Sequence, residues 1–395
     1  MKKPSLSMLL TGLCLTLSPL AFAASATKPL DAKPFSSKDF PMAFPTSEEW
    51  RKTDSSLFSA VRANAPHNWA YFRAIKPQLI YLKEVFEVDG IGIGDFHILN
   101  VGDIQLANGH RKIGLIDLDD GGRTSLFADF TRFAISNQVS PYKVPLRDLW
   151  KNYISGLKNK KIDIPEMVGL ALEKTPEEYL ELQESYLRKN IDGVKFSEAA
   201  EILPITEADA VTADVFNQSI STILKLLEGA KILDQGFKVK DSGGSQGVPR
   251  FWFLIESKGK KTIVEFKTLA EPAMSLYAKQ ESHEKRIQSL MENYRPKNET
   301  LGVYKFVDAG KYQFIVRARE RIFIKLDPVG KVSDKEVRNG REISLYLAQK
   351  AGQWHADQGQ GRVLSEHLTQ QEDKKFQEFE KLVNAYIEVM KAENK

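Results

Sequence analysis

Two short motifs close together constrain this chain more than anything else in it: GDFHILN at residues 94–100 and IDLDD at residues 116–120. The first puts an Asp, a His and an Asn into one short loop. The second puts three carboxylates at the end of an apolar run, IGLI, so that a strand delivers Asp117. A fold for this chain has to bring strand, loop and strand together over residues 89–120. The chemistry that needs these residue types is phosphoryl transfer. One Asp accepts the proton of an attacking hydroxyl, an Asn five residues later and an Asp on a nearby strand hold a divalent cation against the phosphates. Asp95 and Asn100 have that spacing, and Asp117 has that position. Turn chemistry offers a plainer account, in which GD pairs are turns and DLDDGG is a hairpin loop.

The first residues read as a secretory signal over 1–23. Lys2 and Lys3 are basic, the run from Leu6 to Phe22 is apolar but interrupted, and Ala21-Phe22-Ala23 fits a small-x-small cleavage site. Pro19 and the short length argue against a membrane anchor. Leu13 before Cys14 argues against lipidation. Cys14 is the one cysteine in the 395 residues, so a processed chain would have no thiol catalysis, disulfide or cysteine metal site. That suits an oxidising compartment, and the expected location is periplasmic or secreted. Without Lys2 and Lys3 the chain carries 54 basic against 52 acidic residues. Such a balance gives no reason to expect nucleic acid or an anionic membrane as partner. The expected partner is a small-molecule or protein substrate, with no stable membrane insertion after signal cleavage.

With 42% hydrophobic residues the chain can bury a real core, and its length suggests two domains or one bilobal unit. Residues 24–45 read as an extended arm or linker. Helical spacing dominates 46–88, FADFTRFAISNQV (127–139) is an amphipathic helix with a Phe127, Phe130, Phe133, Ala134 stripe, and 145–235 is mostly helical with breaks at Pro165, Pro176 and Pro204. Then the period changes. FWFLIE and TIVEFK alternate like a hairpin across a Lys-Gly-Lys turn. A helix is expected over 271–295, two strands over 301–327, and helix from 335 onward. The expected organisation is a helical lobe with the catalytic-type loop at 46–235, a β-rich unit at 236–330, and C-terminal helices at 331–395 that complete the helical lobe.

The β-rich unit carries its own signals. The glycine-rich stretch DSGGSQG (241–247) precedes the first strand, where backbone N–H groups of Gly243, Gly244, Ser245 and Gly247 could approach phosphates. Lys267 ends the second strand, as the phosphate-contacting lysine of kinase folds does. Glu281 and Glu284 on the following helix are candidates to pair with it. In an ordinary kinase the glycine loop and lysine precede the catalytic loop; here they follow it. A circular permutation explains this order, and ISLYLAQKAGQWHAD (343–357) supplies a helix that would precede the loop. Such a helix, with a His near its end, resembles that of aminoglycoside-phosphotransferase-like kinases. The expectation is an α+β, bilobal, protein-kinase-like fold, circularly permuted, with a helical lobe and a small antiparallel β-rich lobe.

Taken together the motifs resemble the bacterial domain-of-unknown-function family 2252, grouped with the protein-kinase-like fold. Its GDxHxxN pattern corresponds to Gly94-Asp95-Phe96-His97 with Asn100, its strand-end acidic run to Asp117-Leu118-Asp119-Asp120, and its helix motif to Asp129, Arg132 and Ser136. The glycine loop resembles 243–247, the strand lysine is Lys267, and the C-terminal Ala-His-Ala resembles Trp354-His355-Ala356. The likeness spans roughly residues 55–360 in consistent order. It departs at Ser242, Thr268, Ala128 and Asp120, where the family has Gly, Glu, Trp and Glu.

On this reading Asp95 is a general base or hydroxyl orienter, and His97 supports the loop. Asn100 and Asp117 bind magnesium or manganese, with Asp119 as a further ligand. Lys267 and the glycine loop hold a nucleotide or another phosphoryl donor. Asp129 caps the loop, Arg132 pairs with a site carboxylate, His355 packs nearby and Trp354 is core. The function expected is an exported phosphotransferase. A catalytically degenerate ligand- or partner-binding protein and a metal-assisted phosphoester hydrolase are the alternatives. Zinc is disfavoured, because the site motif contains a single His.

Overall fold

The computed structural model describes residues 56–238, 248–297, 304–328 and 330–393. The expected signal (1–23), the arm (24–45) and the glycine-rich stretch with Gly243, Gly244, Ser245 and Gly247 lie outside the described residues. The fold is mixed α and β with small antiparallel sheets. No helix among the described residues is long and apolar enough to cross a membrane.

Two helices open the described chain, α1 (Leu57–Ala63) and α2 (Ala65–Ile75). Four short strands follow: β1 (Asp89–Gly92), β2 (Val101–Gln105), β3 (Arg111–Leu115) and β4 (Gly122–Ser125). β2 and β3 form a hairpin, turned at Asn108-Gly109 where Gly109 takes φ +82°. β4 does not pair with β3. It pairs with β1, Gly92 opposite Gly122. The four strands are thus one antiparallel ribbon cut in the middle, and loops 93–100 and 116–121 face each other across the cut. DLDDGG is therefore no hairpin loop; it joins strands of two different sheets.

Helix α3 (Leu126–Gln138) lies behind this cut, its N-terminus capped by Ser125 Oγ on Ala128 N–H at 3.3 Å. The sequence pattern predicts an amphipathic helix, yet every residue from Leu126 to Asn137 is buried. The Phe127, Phe130, Phe133 stripe packs into the helical core; Phe130 stacks on Tyr153 at 4.0 Å. The polar side is buried too, because Asp129 and Arg132 are directed at the facing loops. Helices α4 (Leu146–Leu157), α5 (Glu166–Leu172) and α6 (Pro176–Asn190) follow, the last opened by a Thr175/Glu178 capping box. A two-residue ladder, β5 (Ile191–Asp192) with β6 (Lys195–Phe196), leads to α7 (Ala210–Leu226).

The larger sheet is five-stranded and antiparallel, in the order β10-β11-β9-β8-β7. Its strands are β7 (Lys231–Phe237), β8 (Arg250–Ser257), β9 (Lys260–Thr268), β10 (Tyr304–Ala309) and β11 (Tyr312–Ala318). The β8–β9 turn puts Lys258 and Gly259 at positive φ, as the Lys-Gly-Lys reading requires. Alternation splits the two faces. Phe251, Phe253, Val264, Phe266, Phe314 and Val316 pack on α7, while Trp252, Leu254 and Ile263 point to the other side, with Glu265 and Lys267 in the same alternation. Helix α7 falls inside the stretch expected to be helical lobe, but its Val215, Phe216 and Ile223 pack on the sheet. β7 lies mostly ahead of residue 236 as well. Its mixed sequence, KILDQGF, hides the alternation.

The expected strand over YQFIVRARERIFIKL stops at Ala318. Beyond it the chain leaves the sheet. Phe323 and Ile324 N–H donate to the buried Asp103 carboxylate at 3.2 and 2.9 Å, and the same carboxylate holds Arg111. This ties the crossing segment to β2. The helix expected over 271–295 is a short 3-10 turn at Ala273–Leu276 and then α8 (His283–Tyr294). The chain ends in α9 (Asp334–His355), a π-type turn at Ala356–Gln360, α10 (Gly361–Thr369) and α11 (Glu372–Glu393). These return to the first helices. Glu378 accepts the N–H groups of Ile80, Tyr81 and Leu82 at 2.7–2.8 Å, and Gln358 makes both backbone bonds of Ile91 that β1 lacks on its open edge.

Candidate functional site

The two facing loops can touch because Gly94 sits at φ +86°. A Cβ there would lie 2.0 Å from the carbonyl oxygen of Asp120. Ile116 N–H donates to Asn100 O at 2.9 Å, a second tie between the loops. Asp129, fully buried on α3, accepts Ile93 and Gly94 N–H at 2.9 Å each. This is the capping of the loop expected for Asp129, and His355 Nε2 stands 3.8 Å behind it. Trp354 is core, edge-on to Tyr294.

Asp95 is buried with both oxygens engaged. Oδ1 accepts from Arg132 at 2.9 Å and Oδ2 from His97 Nε2 at 3.1 Å. Burial pushes its pKa up, but His97 and Arg132 outweigh that and hold the carboxyl well below the usual range. His97 Nδ1 accepts the N–H of Leu99 at 3.2 Å, so the hydrogen-bond network assigns the proton to Nε2. Burial lowers the His97 pKa against the pull of Asp95, which agrees with a neutral ring used as a strut. Asn100 Nδ2 donates to Asp95 O at 2.8 Å, leaving its Oδ1 as the available acceptor.

Lys267, 1% exposed on β9, reaches across to the second loop. Its Nζ lies 3.3 Å from Asp117 Oδ1 and also bonds Asp119 Oδ2. The two loops and the lysine are thus brought to one place, although Lys267 is 150 residues from Asp117. Neither Glu281 nor Glu284 pairs with it. Both are exposed, and the inward charge of α8 is Arg286, which donates to Asp119 O and Gly121 O at 2.6 and 2.5 Å. The lysine needs no helix carboxylate, since two aspartates of the loop already neutralise it.

The acidic loop divides its proton affinities. Burial raises Asp117, but Lys267, Asp119 and Arg317 hold it well below the ordinary range. Burial and neighbouring Asp117 push Asp119 up. Asp120, raised by burial and by Asp119 and Asp95, is pushed up to about 7. Among the described residues no three His, Cys, Asp or Glu side chains form a group that could hold a metal ion unaided. Asn100 and Asp117 nevertheless line the same cavity, and magnesium commonly takes one or two protein ligands and fills the rest with phosphate and water oxygens. That limited donor set fits a cation brought with a phosphorylated ligand.

Sequence reasoning missed the cavity itself. It measures about 360 Å³ and is lined by Asn100, Asp117 and five arginines, Arg62, Arg250, Arg295, Arg317 and Arg319. Arg317 donates to Glu265 at 2.7 Å and to Ile116 O at 3.1 Å. Glu265, 1% exposed on β9, also accepts Trp252 Nε1 at 2.9 Å and lies 3.6 Å from Arg319. Burial would raise the Glu265 pKa, yet Arg317, Arg319 and Arg250 hold it far down, so it is an ionised strut. The period-2 arginines of VRARER carried the signal that a strand aims Arg317 and Arg319 the same way. No family model, curated protein or solved structure matches the chain. The family likeness therefore rests on the motifs themselves.

Proposed function

We propose that the chain is an exported phosphotransferase of the kinase-like type, circularly permuted, using magnesium or manganese with a nucleotide or other phosphoryl donor, and belonging to the bacterial domain-of-unknown-function family 2252. One observation carries this reading: Lys267 meets Asp117 and Asp119 opposite the loop that holds Asp95 and Asn100. The order within the five-stranded sheet supports it. In chain order the glycine-rich stretch falls between the first two strands, and Lys267 is on the third, where a kinase carries its lysine. The donor phosphates would lie against Lys267, and Asn100 and Asp117 would hold the cation, which neutralises charge on the transferring group. Asp95 then orients the acceptor hydroxyl and takes its proton late.

Asp95→Asn keeps the loop's shape and removes the charge. Turnover should fall by about 10²-fold or more while donor binding persists. Asp117→Asn should weaken metal-dependent donor binding itself, since a hard cation prefers charged oxygens. Calorimetric titration and phosphate-transfer assays on both variants test this; equal, negligible effects would sink it. One feature favours the degenerate-binder alternative. Both Asp95 oxygens are occupied and its pKa is depressed, which makes it a poor proton acceptor. If donor binds with metal, no acceptor is ever phosphorylated and Asp95→Asn changes nothing, that alternative is the correct one.

A further inference from the structure

The cavity beside Asp117 has more positive charge than the proposed chemistry at Lys267 requires. Five guanidinium groups line it against three carboxylates, Asp103, Asp117 and Glu320. Asp103 is already matched by Arg111 and Asp117 by Lys267, while Glu265, outside the lining, offsets one guanidinium by pairing with Arg317, so cations still outnumber the remaining carboxylates. The guanidiniums are held ready. Arg295 donates to Leu115 O at 2.9 Å and lies over the Tyr304 ring at 4.5 Å. Arg319 lies over Trp252 at 5.1 Å, and its Nε is buried with no hydrogen-bond partner among the described residues. Arg317 is fixed by Glu265 and the Ile116 carbonyl. Planar forks fixed by stacking and carbonyls are suited to phosphate oxygens, which they bind in pairs.

A neutral group in this space would strip water from the guanidiniums and return no counter-charge, which is costly. A chain of anions returns it at every step. We propose that this cavity binds a linear oligophosphate along its length, with Arg62, Arg295, Arg317 and Arg319 as the grips, and that no nucleobase is needed there. The position of the reactive end, at Lys267 and Asp117, rests on the function proposed above; the binding itself does not. At about 360 Å³ the space is at the small end of ligand sites, which run from roughly 300 to 1,000 Å³. The oligophosphate could be free or the tail of a nucleotide, and the two sources are separable by experiment.

Titration calorimetry of the full chain with tripolyphosphate, ATP, adenosine and citrate is the test, each run with and without magnesium. Tripolyphosphate should bind at least as tightly as ATP, and adenosine not at all. A nucleotide tail as the natural source would show as ATP binding tighter by less than tenfold, still with no adenosine binding. Arg319→Gln removes one grip, and affinity for tripolyphosphate should fall about tenfold, the worth of one charge-assisted fork. Arg62→Gln, at a half-buried position whose side chain makes no hydrogen bond among the described residues, should do the same and guards against misfolding of the first variant. Adenosine binding alone, citrate matching tripolyphosphate, or both variants binding like the parent would overturn the proposal. Tripolyphosphate binding without any phosphate transfer would leave this inference standing and remove the phosphotransferase. Transfer from ATP with no tripolyphosphate binding would do the reverse.

Discussion

Lys267→Met tests the centre of the site by removing the counter-ion of Asp117 and Asp119. Methionine keeps most of the side-chain volume of a lysine that is 1% exposed, so packing changes little. The charge is what goes. Asp117, Asp119 and Asp120 are then left crowded with no lysine among them. Removing one partner of a buried ion pair costs about 3–5 kcal/mol. Asp117 keeps Arg317 at 3.9 Å and its side chain is 30% exposed, which puts the loss at the lower end, about 3 kcal/mol at pH 8. The pH dependence has a definite sign. Without Lys267 the folded-state pKa values of Asp119 and Asp120, already raised, rise further. Above the unfolded value near 4 the folded variant then holds protons that the unfolded chain has released. Its deficit is therefore largest at high pH and shrinks as pH falls through those raised values. Urea unfolding followed by tryptophan fluorescence at pH 8 and pH 5 measures both quantities. A deficit below about 0.5 kcal/mol, or one equal at the two pH values, would refute the claim that Lys267 is the counter-ion of this loop.

Asp120→Asn should stabilise the protein by about 1 kcal/mol at pH 8 and have less effect at pH 5, because the native carboxyl, at about 7 in the fold, contributes stability only while protonated and loses it as pH rises through 7; unfolding curves at the two pH values check it. Gly94→Ala should cost about 2–3 kcal/mol, since alanine is strained at φ +86° and its Cβ would meet the Asp120 carbonyl oxygen at 2.0 Å. Thermal unfolding measures that loss, and activity should fall with it because the two loops must part.

Local patterns revealed the parts and little of their assembly. The GDFHILN loop and the IDLDD run were readable because each combines unusual residue types at close spacing. The β8–β9 hairpin was readable because FWFLIE and TIVEFK alternate cleanly. The partner of Lys267 was readable in part. A permuted kinase-like order requires Lys267 to face Asp117 across a cleft, and the two do meet although they are 150 residues apart, but the countercharge expected of Glu281 or Glu284 on the following helix comes instead from Asp117 and Asp119. The extent of the sheet was blurred where polar residues interrupt alternation, as in KILDQGF. The RERIFIKL end of the last strand misled in the other direction. Its β-branched and aromatic residues favour strand, but Asp103 captures the backbone of Phe323 and Ile324 and draws the chain away from the sheet. The arginine cavity was the largest omission. Its five arginines come from four separate places in the chain, and only Arg317 and Arg319 sit at a telling spacing.

The bonds from Glu378 to residues 80–82 and from Gln358 to Ile91 span 296–298 and 267 positions. The helical part is consequently one domain in two instalments, with the sheet and its helix α7 inserted between them. During synthesis the inserted unit has all its strands before the second instalment exists. The first instalment, with GDFHILN and IDLDD already made, lacks the helices that shield α3 and the edge of β1. Until the last helices arrive, Asp129 lacks the His355 ring behind it and the edge of β1 lacks the Gln358 amide that closes it.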